Sequence, residues 1–195
     1  MIWQILGVLI MIGFYGIYIG KLLMQRRKGI QTDQIGKGGK KGQLYYTELV
    51  MKLASYSVIL AELVSIFGNF SMLGTPVRCV GLFFSIAGIA VFGTAVWTMR
   101  DSWRAGIPTE DKTEMVTEGI YSISRNPAFL GFDLIFLGLV LMFFSFWHLF
   151  FALFAGVMLH LQILQEEKHL AAVFGEPYEA YRRQTGRYLG WKRNS

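Results

Sequence analysis

Few side chains in this chain can do chemistry, and most of those that can fall in two stretches. The first is MVTEGIYSISRNPAFLGFD, residues 115–133. Arg125 is a planar cation that either reaches out to lipid headgroups or grips a carboxylate or phosphate with a forked hydrogen bond. Asn126 and Pro127 suit the N-cap and first turn of a helix, and Gly119 permits a tight backbone approach. The second stretch is LQILQEEKHLAAVFGEPYEAYRRQTGRYLG, residues 161–190. It holds adjacent carboxylates, Glu166 and Glu167, which are costly where a helix leaves hydrocarbon unless they have partners. They are either a solvated helix end beside Lys168 or the holders of a polar ligand, such as ribose hydroxyls or a cationic group. Gly175 should end one helix at Phe174. Pro177 should open a short one, with Glu176 and Glu179 at its positive end. Tyr178, Tyr181 and Arg182 then share a face.

Three more ionisable groups lie at membrane depth, where their cost makes them candidates for function. Glu62 and Asp133 read either as a pair that binds the amine headgroup of a substrate or as neutral structural carboxyls. His160 lies seven residues before Glu167 on the same face, and reads as a substrate contact or as a hydrogen bond to a neighbouring helix. His148, beside Trp147, reads as an interfacial anchor.

The elements that must position these groups are membrane helices. Of 195 residues, 53% are hydrophobic and 16% charged, which places the chain in the membrane class. A crossing helix needs about 20 apolar residues. Such runs occur at about 1–23, 49–70, 78–99, 128–144 and 147–165, the last two forming a tight hairpin at Ser145. The first run has no basic residues ahead of it and reads as a retained helix rather than a cleaved signal. The fold expected is all-α: one polytopic domain over 1–195, with about five crossings and a helical cytoplasmic C-terminal segment. Residues 1–99 hold three helices and the linker 25–43, whose GKGGKKG reads as mobile. Residues 100–195 hold the hairpin and the reactive stretches.

Lys and Arg cluster in three segments, after the first, third and fifth runs, leaving Arg78 alone on the other side. An odd number of crossings puts all three segments on one face, which the positive-inside rule makes cytoplasmic, with the N-terminus outside. Gly81, Ser85 and Gly88 should allow close helix contact. The single cysteine, Cys79, excludes an internal disulfide and a cysteine-based metal site, and no metal centre is expected. No basic patch away from the membrane suggests nucleic acid. Short loops and glycine-bearing helices allow a dimer without requiring one.

VTEGIY (116–121), RNPAFLG (125–131), EE (166–167), FGEPYEAY (174–181) and Arg187 occur in this order. Together they resemble the isoprenylcysteine carboxyl methyltransferases and their relatives, the membrane phospholipid methyltransferases. The resemblance covers residues 115–190 and implies S-adenosyl-L-methionine as cofactor. It also implies a lipophilic or prenylated substrate arriving from the bilayer, with a carboxylate or amine as methyl acceptor. It puts Arg125 and Glu167 at the reaction centre. Gly119, Tyr121, Asn126, Pro127, Glu166, Tyr178, Tyr181 and Arg187 become cofactor-pocket residues. Arg125 would hold a carboxylate acceptor, and Glu167 would take the proton of an amine.

Asn126 stands where many members have a titratable His, so it cannot be a general base. Gln162 stands where the carboxyl methyltransferases keep an Arg, which weakens a prenylcysteine carboxylate as substrate. The alternatives are a sterol-reductase-like membrane enzyme using NADPH, against which the two glutamates argue, and a non-enzymatic membrane scaffold.

Overall fold

The computed structural model describes residues 1–108 and 113–190. Three residues of the basic clusters, Lys112, Lys192 and Arg193, lie outside them. The chain forms six α-helices: α1 Ile2–Arg27, α2 Gly42–Phe67, α3 Thr75–Thr98, α4 Pro127–Met142, α5 Phe146–Phe174 and α6 Glu176–Gln184. Among the described residues there is no strand, only an isolated bridge between Asp33 and Ala105. Four helices, α1, α2, α3 and α5, are long and apolar enough to cross a membrane, and α4 is a shorter apolar one. At about 1.5 Å per residue, the 16 residues of α4 span roughly 24 Å. It ends early because Phe143 leaves helical geometry (φ −132°, ψ 61°) to start the hairpin.

The hairpin closes on its own residues. Ser145 caps α5 by accepting from the backbone N–H of His148 at 3.2 Å. The His148 ring meets the Phe143 carbonyl through Nδ1 at 3.1 Å and is fully buried. The interfacial role expected of His148 therefore belongs to Trp147, which is 74% exposed.

The helices pack mainly as two pairs, α3 on α4 and α2 on α5. Gly81, Ser85 and Gly88 face Gly131, Ile135 and Gly138 across the first pair. A methyl group on Gly88 would lie 2.6 Å from Ile135 Cγ1, and one on Gly131 would lie 2.7 Å from Phe92 Cβ. Without a hydrophobic drive between helices in lipid, this close backbone approach supplies the packing. Arg78 sits over the rings of Trp3 and Phe143, 5.4 Å from each centroid, and bonds Asn69.

The α1–α2 linker buries far more than its glycines and lysines suggest. Lys40 and Glu48 form an ion pair at 2.7 Å with side chains only 1% and 0% exposed. Glu48 also accepts from the N–H of Gly36 at 2.6 Å and of Ile107 at 3.1 Å. Gln25 donates to the carbonyls of Asp101 and Trp103 and accepts from Thr32. The linker read as mobile is thus stapled to the segment after α3, and the two form a roof at one end of the helices.

Candidate functional site

Beneath that roof lies a cavity of about 470 Å³, within the roughly 300–1,000 Å³ usual for small-molecule sites. Each wall follows a helical period. Tyr15, Tyr18, Ile19 and Leu22 come from α1, and Lys52, Ser55, Tyr56 and Ile59 from α2. Ala128, Phe129, Phe132 and Phe136 come from α4, and Leu159, Gln162 and Glu166 from α5. The roof adds Asp33, Trp103 and Arg104. Ile19 and Tyr56 line the cavity yet are 50% and 61% exposed. They flank the gap between α1 and α2, which touch little, so the cavity opens sideways between these two helices.

Its polar end is carried by α5. Gln162 is fully buried and donates through Nε2 to Glu166 Oε1 at 3.1 Å. Gln162 Oε1 has no hydrogen-bond partner among the described residues. Glu166 lies within electrostatic reach of Lys40 and Glu48 on the roof side. It also lies near Tyr121, whose phenol is pushed far up, chiefly by burial and then by the neighbouring Tyr181 and Glu166. The site thus offers acceptors in an aromatic cavity, an arrangement that suits a cationic or hydroxyl-bearing ligand.

The expected cofactor and catalytic residues divide in a way the sequence does not signal. Of these ten and the four substrate candidates, only Glu166 and Gln162 line the cavity. Arg125, Asn126, Glu167 and Arg187 form a separate lock beside it. Glu167 Oε1 accepts from Arg125 Nη2 at 2.8 Å, Asn126 Nδ2 at 3.1 Å and Arg187 Nε at 3.2 Å. Glu167 Oε2 accepts from Arg187 Nη2 at 2.9 Å. The remaining prong of Arg125 donates to the carbonyls of Arg182 and Thr185. Both groups are engaged on several sides. Glu167 is gripped by three side chains, and Arg125 spends four of its five N–H donors on Glu167 and two carbonyls. Their geometry positions neighbours. Pairing with Glu167 raises the affinity of Arg187 for its proton.

Asn126 is the N-cap residue of α4, but its side chain makes no cap bond. It is spent on Glu167 and on the carbonyl of Arg187 at 3.2 Å. Pro127 opens α4 as expected. Gly119, at φ +60°, starts a 3₁₀ turn over Gly119–Ser122, where a Cβ would be strained. Tyr121 and α6 are tied by the Tyr181 hydroxyl, which donates to the Tyr121 carbonyl at 2.6 Å. Tyr178 is 1% exposed, and burial pushes its phenol up to about 12. The chain after α6 closes the lock: Arg125 N–H donates to the Gly186 carbonyl, and Gly190 N–H to that of Ile123.

Glu62 and Asp133 do not meet as a pair. Glu62 is fully buried on α2, near Tyr15, with neither oxygen hydrogen-bonded among the described residues. Asp133 points to the other side of α4, into a groove that also holds His160. The ring of His160 pairs with Tyr188 rather than with Glu167. Tyr15, Tyr18, Lys52, Tyr56 and Trp103, none of them among the candidates above, also line the cavity. A signal was present: two phenols three residues apart on α1, and Lys52, Ser55 and Tyr56 along one stripe of α2.

An all-helical bundle with four candidate crossings and a lateral cavity that ends on the half-buried Glu166 is that of an integral, multi-pass membrane protein. The phospholipid methyltransferase family model matches residues 70–177, more than half of the chain, and the chain belongs to that family of membrane methyltransferases. No curated protein matches it significantly. The matched stretch contains α3, the α4–α5 hairpin and both glutamates, whereas α1, α2 and the roof linker lie before it.

Proposed function

We propose that this protein is an S-adenosyl-L-methionine-dependent methyltransferase acting on a lipophilic substrate that enters from the bilayer. The observation that carries this reading is the aromatic cavity, open between α1 and α2, whose polar end is Glu166 and Gln162. When bound, S-adenosyl-L-methionine supplies an electrophilic methyl group on a sulfonium. Glu166 and the unpartnered Gln162 Oε1 would hold its hydroxyls and positive charge, since both are acceptors in a dry setting. Phe129, Phe132, Trp103 and Tyr18 exclude water and align the acceptor, as an in-line displacement requires. Arg125, Glu167 and Arg187 keep the end of α5 fixed, and with it Glu166.

Of the two acceptor types, the geometry favours an amine. The guanidinium that would hold a carboxylate, Arg125, is already committed to Glu167 and two carbonyls. The roof and C-terminal segment carry most of the basic residues, which supports a cytoplasmic site with the N-terminus outside.

Isothermal titration of the detergent-solubilised protein with S-adenosylhomocysteine tests the reading. Saturable binding is expected, weakened roughly tenfold or more, about 1.4 kcal/mol, in Glu166→Ala. Binding indifferent to Glu166, or none to folded protein, would overturn it.

A further inference from the structure

Arg78 stands apart from the three basic clusters, at the end of the helices opposite the roof. Trp3 of α1, Asn69 of the α2–α3 loop and Phe143 of the hairpin surround it, and it is only 7% exposed. Among the described residues its one hydrogen bond runs from Nη2 to Asn69 Oδ1, at 3.3 Å. Its Nε is buried with no partner. A guanidinium has five N–H donors, so four stay uncommitted here, against one in Arg125.

The charge has no counter-ion either. No Asp or Glu precedes Asp33, and none occurs in residues 63–100 or 134–165. The start of α1, the α2–α3 loop, α3 and the hairpin therefore bring no acid to this end. Glu62 of α2 is buried near Tyr15, and neither of its oxygens is hydrogen-bonded to Arg78. Arg78 also closes the first turn of α3, its N–H donating to the Gly74 carbonyl at 3.3 Å. That is the positive end of the helix, where a cation is disfavoured, and the turn has no acidic residue and no side-chain cap. The rings of Trp3 and Phe143 attract a guanidinium without neutralising it. Buried charges are normally paired. An anion here would satisfy the guanidinium and the helix end together.

The surroundings select the kind of anion. Phe67 at the end of α2, Met72 in the loop and Phe146 at the start of α5 are 69%, 67% and 69% exposed. Such a rim suits acyl chains, and a free guanidinium beside it suits a phosphate group.

We propose that Arg78 and the first turn of α3 hold the phosphate of an anionic phospholipid at the end of the bundle opposite the roof. The lipid is a bound ligand and not a methyl acceptor, because the polar end of the cavity lies under the roof. A zwitterionic lipid binds less well, since no acid at this end receives its cationic group.

The test is thermal unfolding of the full-length, delipidated protein in detergent. It is titrated with phosphatidylglycerol, with phosphatidylcholine of the same chains, or with inorganic phosphate. Phosphatidylglycerol should raise the midpoint by several degrees and saturate, ahead of the other two. Half-saturation should rise roughly tenfold or more in Arg78→Gln. Gly74→Asp supplies the missing anion from the chain itself. Gly74 has extended backbone geometry, and a Cβ there meets nothing closer than Pro76 Cδ at 3.7 Å. This variant should be more stable without lipid and should lose the phosphatidylglycerol response, while S-adenosylhomocysteine binding is unchanged. If Arg78→Gln does not fold, Gly74→Asp decides. Equal stabilisation by phosphatidylcholine or by inorganic phosphate, or an undiminished lipid response in Gly74→Asp, would overturn the proposal. Failure of S-adenosylhomocysteine to bind would sink the catalytic reading and leave this one standing.

Discussion

Glu48, near the start of α2, and Glu167, towards the end of α5, are both buried carboxylates filled by donors from distant parts of the chain. The materials differ. Glu48 is held by one lysine and two backbone amides, Gly36 and Ile107. Glu167 is held by two guanidinium forks and one side-chain amide. A lysine is a point charge, so the first site works by fixing loops whose amides complete the shell. An arginine fork carries its own geometry, so the second fixes side chains and the helices behind them. The first closes the cavity from above, and the second steadies the helix that carries its polar end. Escape routes differ too. Lys40 is 1% exposed, whereas Arg187 is 33% exposed and can turn to water.

That contrast ranks the effects of breaking each lock. Glu48→Gln should be the most damaging, because it strands Lys40 out of reach of solvent. Removing one partner of a buried pair costs about 3–5 kcal/mol, seen as a strongly lowered unfolding midpoint. A change within 1 kcal/mol would mean that the roof does not depend on the pair. Glu167→Gln should cost less, about 2–3 kcal/mol by the worth of hydrogen bonds to charged groups, since Arg187 can relax outward. It should also weaken S-adenosylhomocysteine binding by shifting Glu166. Unchanged affinity in a destabilised variant would separate the lock from the cavity. Arg187→Lys should be mildest, about 1 kcal/mol, because the charge stays and only the fork is lost. A loss as large as that of Glu167→Gln would show that the fork, not the charge, holds the segment.

The two locks also mark what the sequence makes legible. The adjacent glutamates and Arg125 stand out in an apolar chain, and Gly175, Pro177 and the Ser145 hairpin are local signals that the helices obey. Lys40 and Glu48 carry no such mark. In a glycine- and lysine-rich linker, composition predicts solvation, and the burial comes from Ile107, more than fifty residues away. Asn126 misleads for the same reason: its type suits a cap, but Glu167, 41 residues on, offers a better use of its amide. The assignment of Glu167 as a reacting base depends on its having a lone pair to spare, and only three-dimensional partners decide that. Glu62 and Asp133 look alike on the sequence and point to different places because α2 and α4 present different faces.

The staple at Glu48 also sets an order of events during synthesis. Its partner Ile107 follows α3, so an emerging chain carries α1 and α2 with Glu48 and Lys40 incompletely satisfied until the third helix is in place. Glu167 waits longer, for a residue twenty positions further on. The ribosome therefore delivers the roof before the lock that steadies Glu166. A nascent chain cut short before Arg187 would have its helices and its cavity but not the clasp that holds the polar end in register.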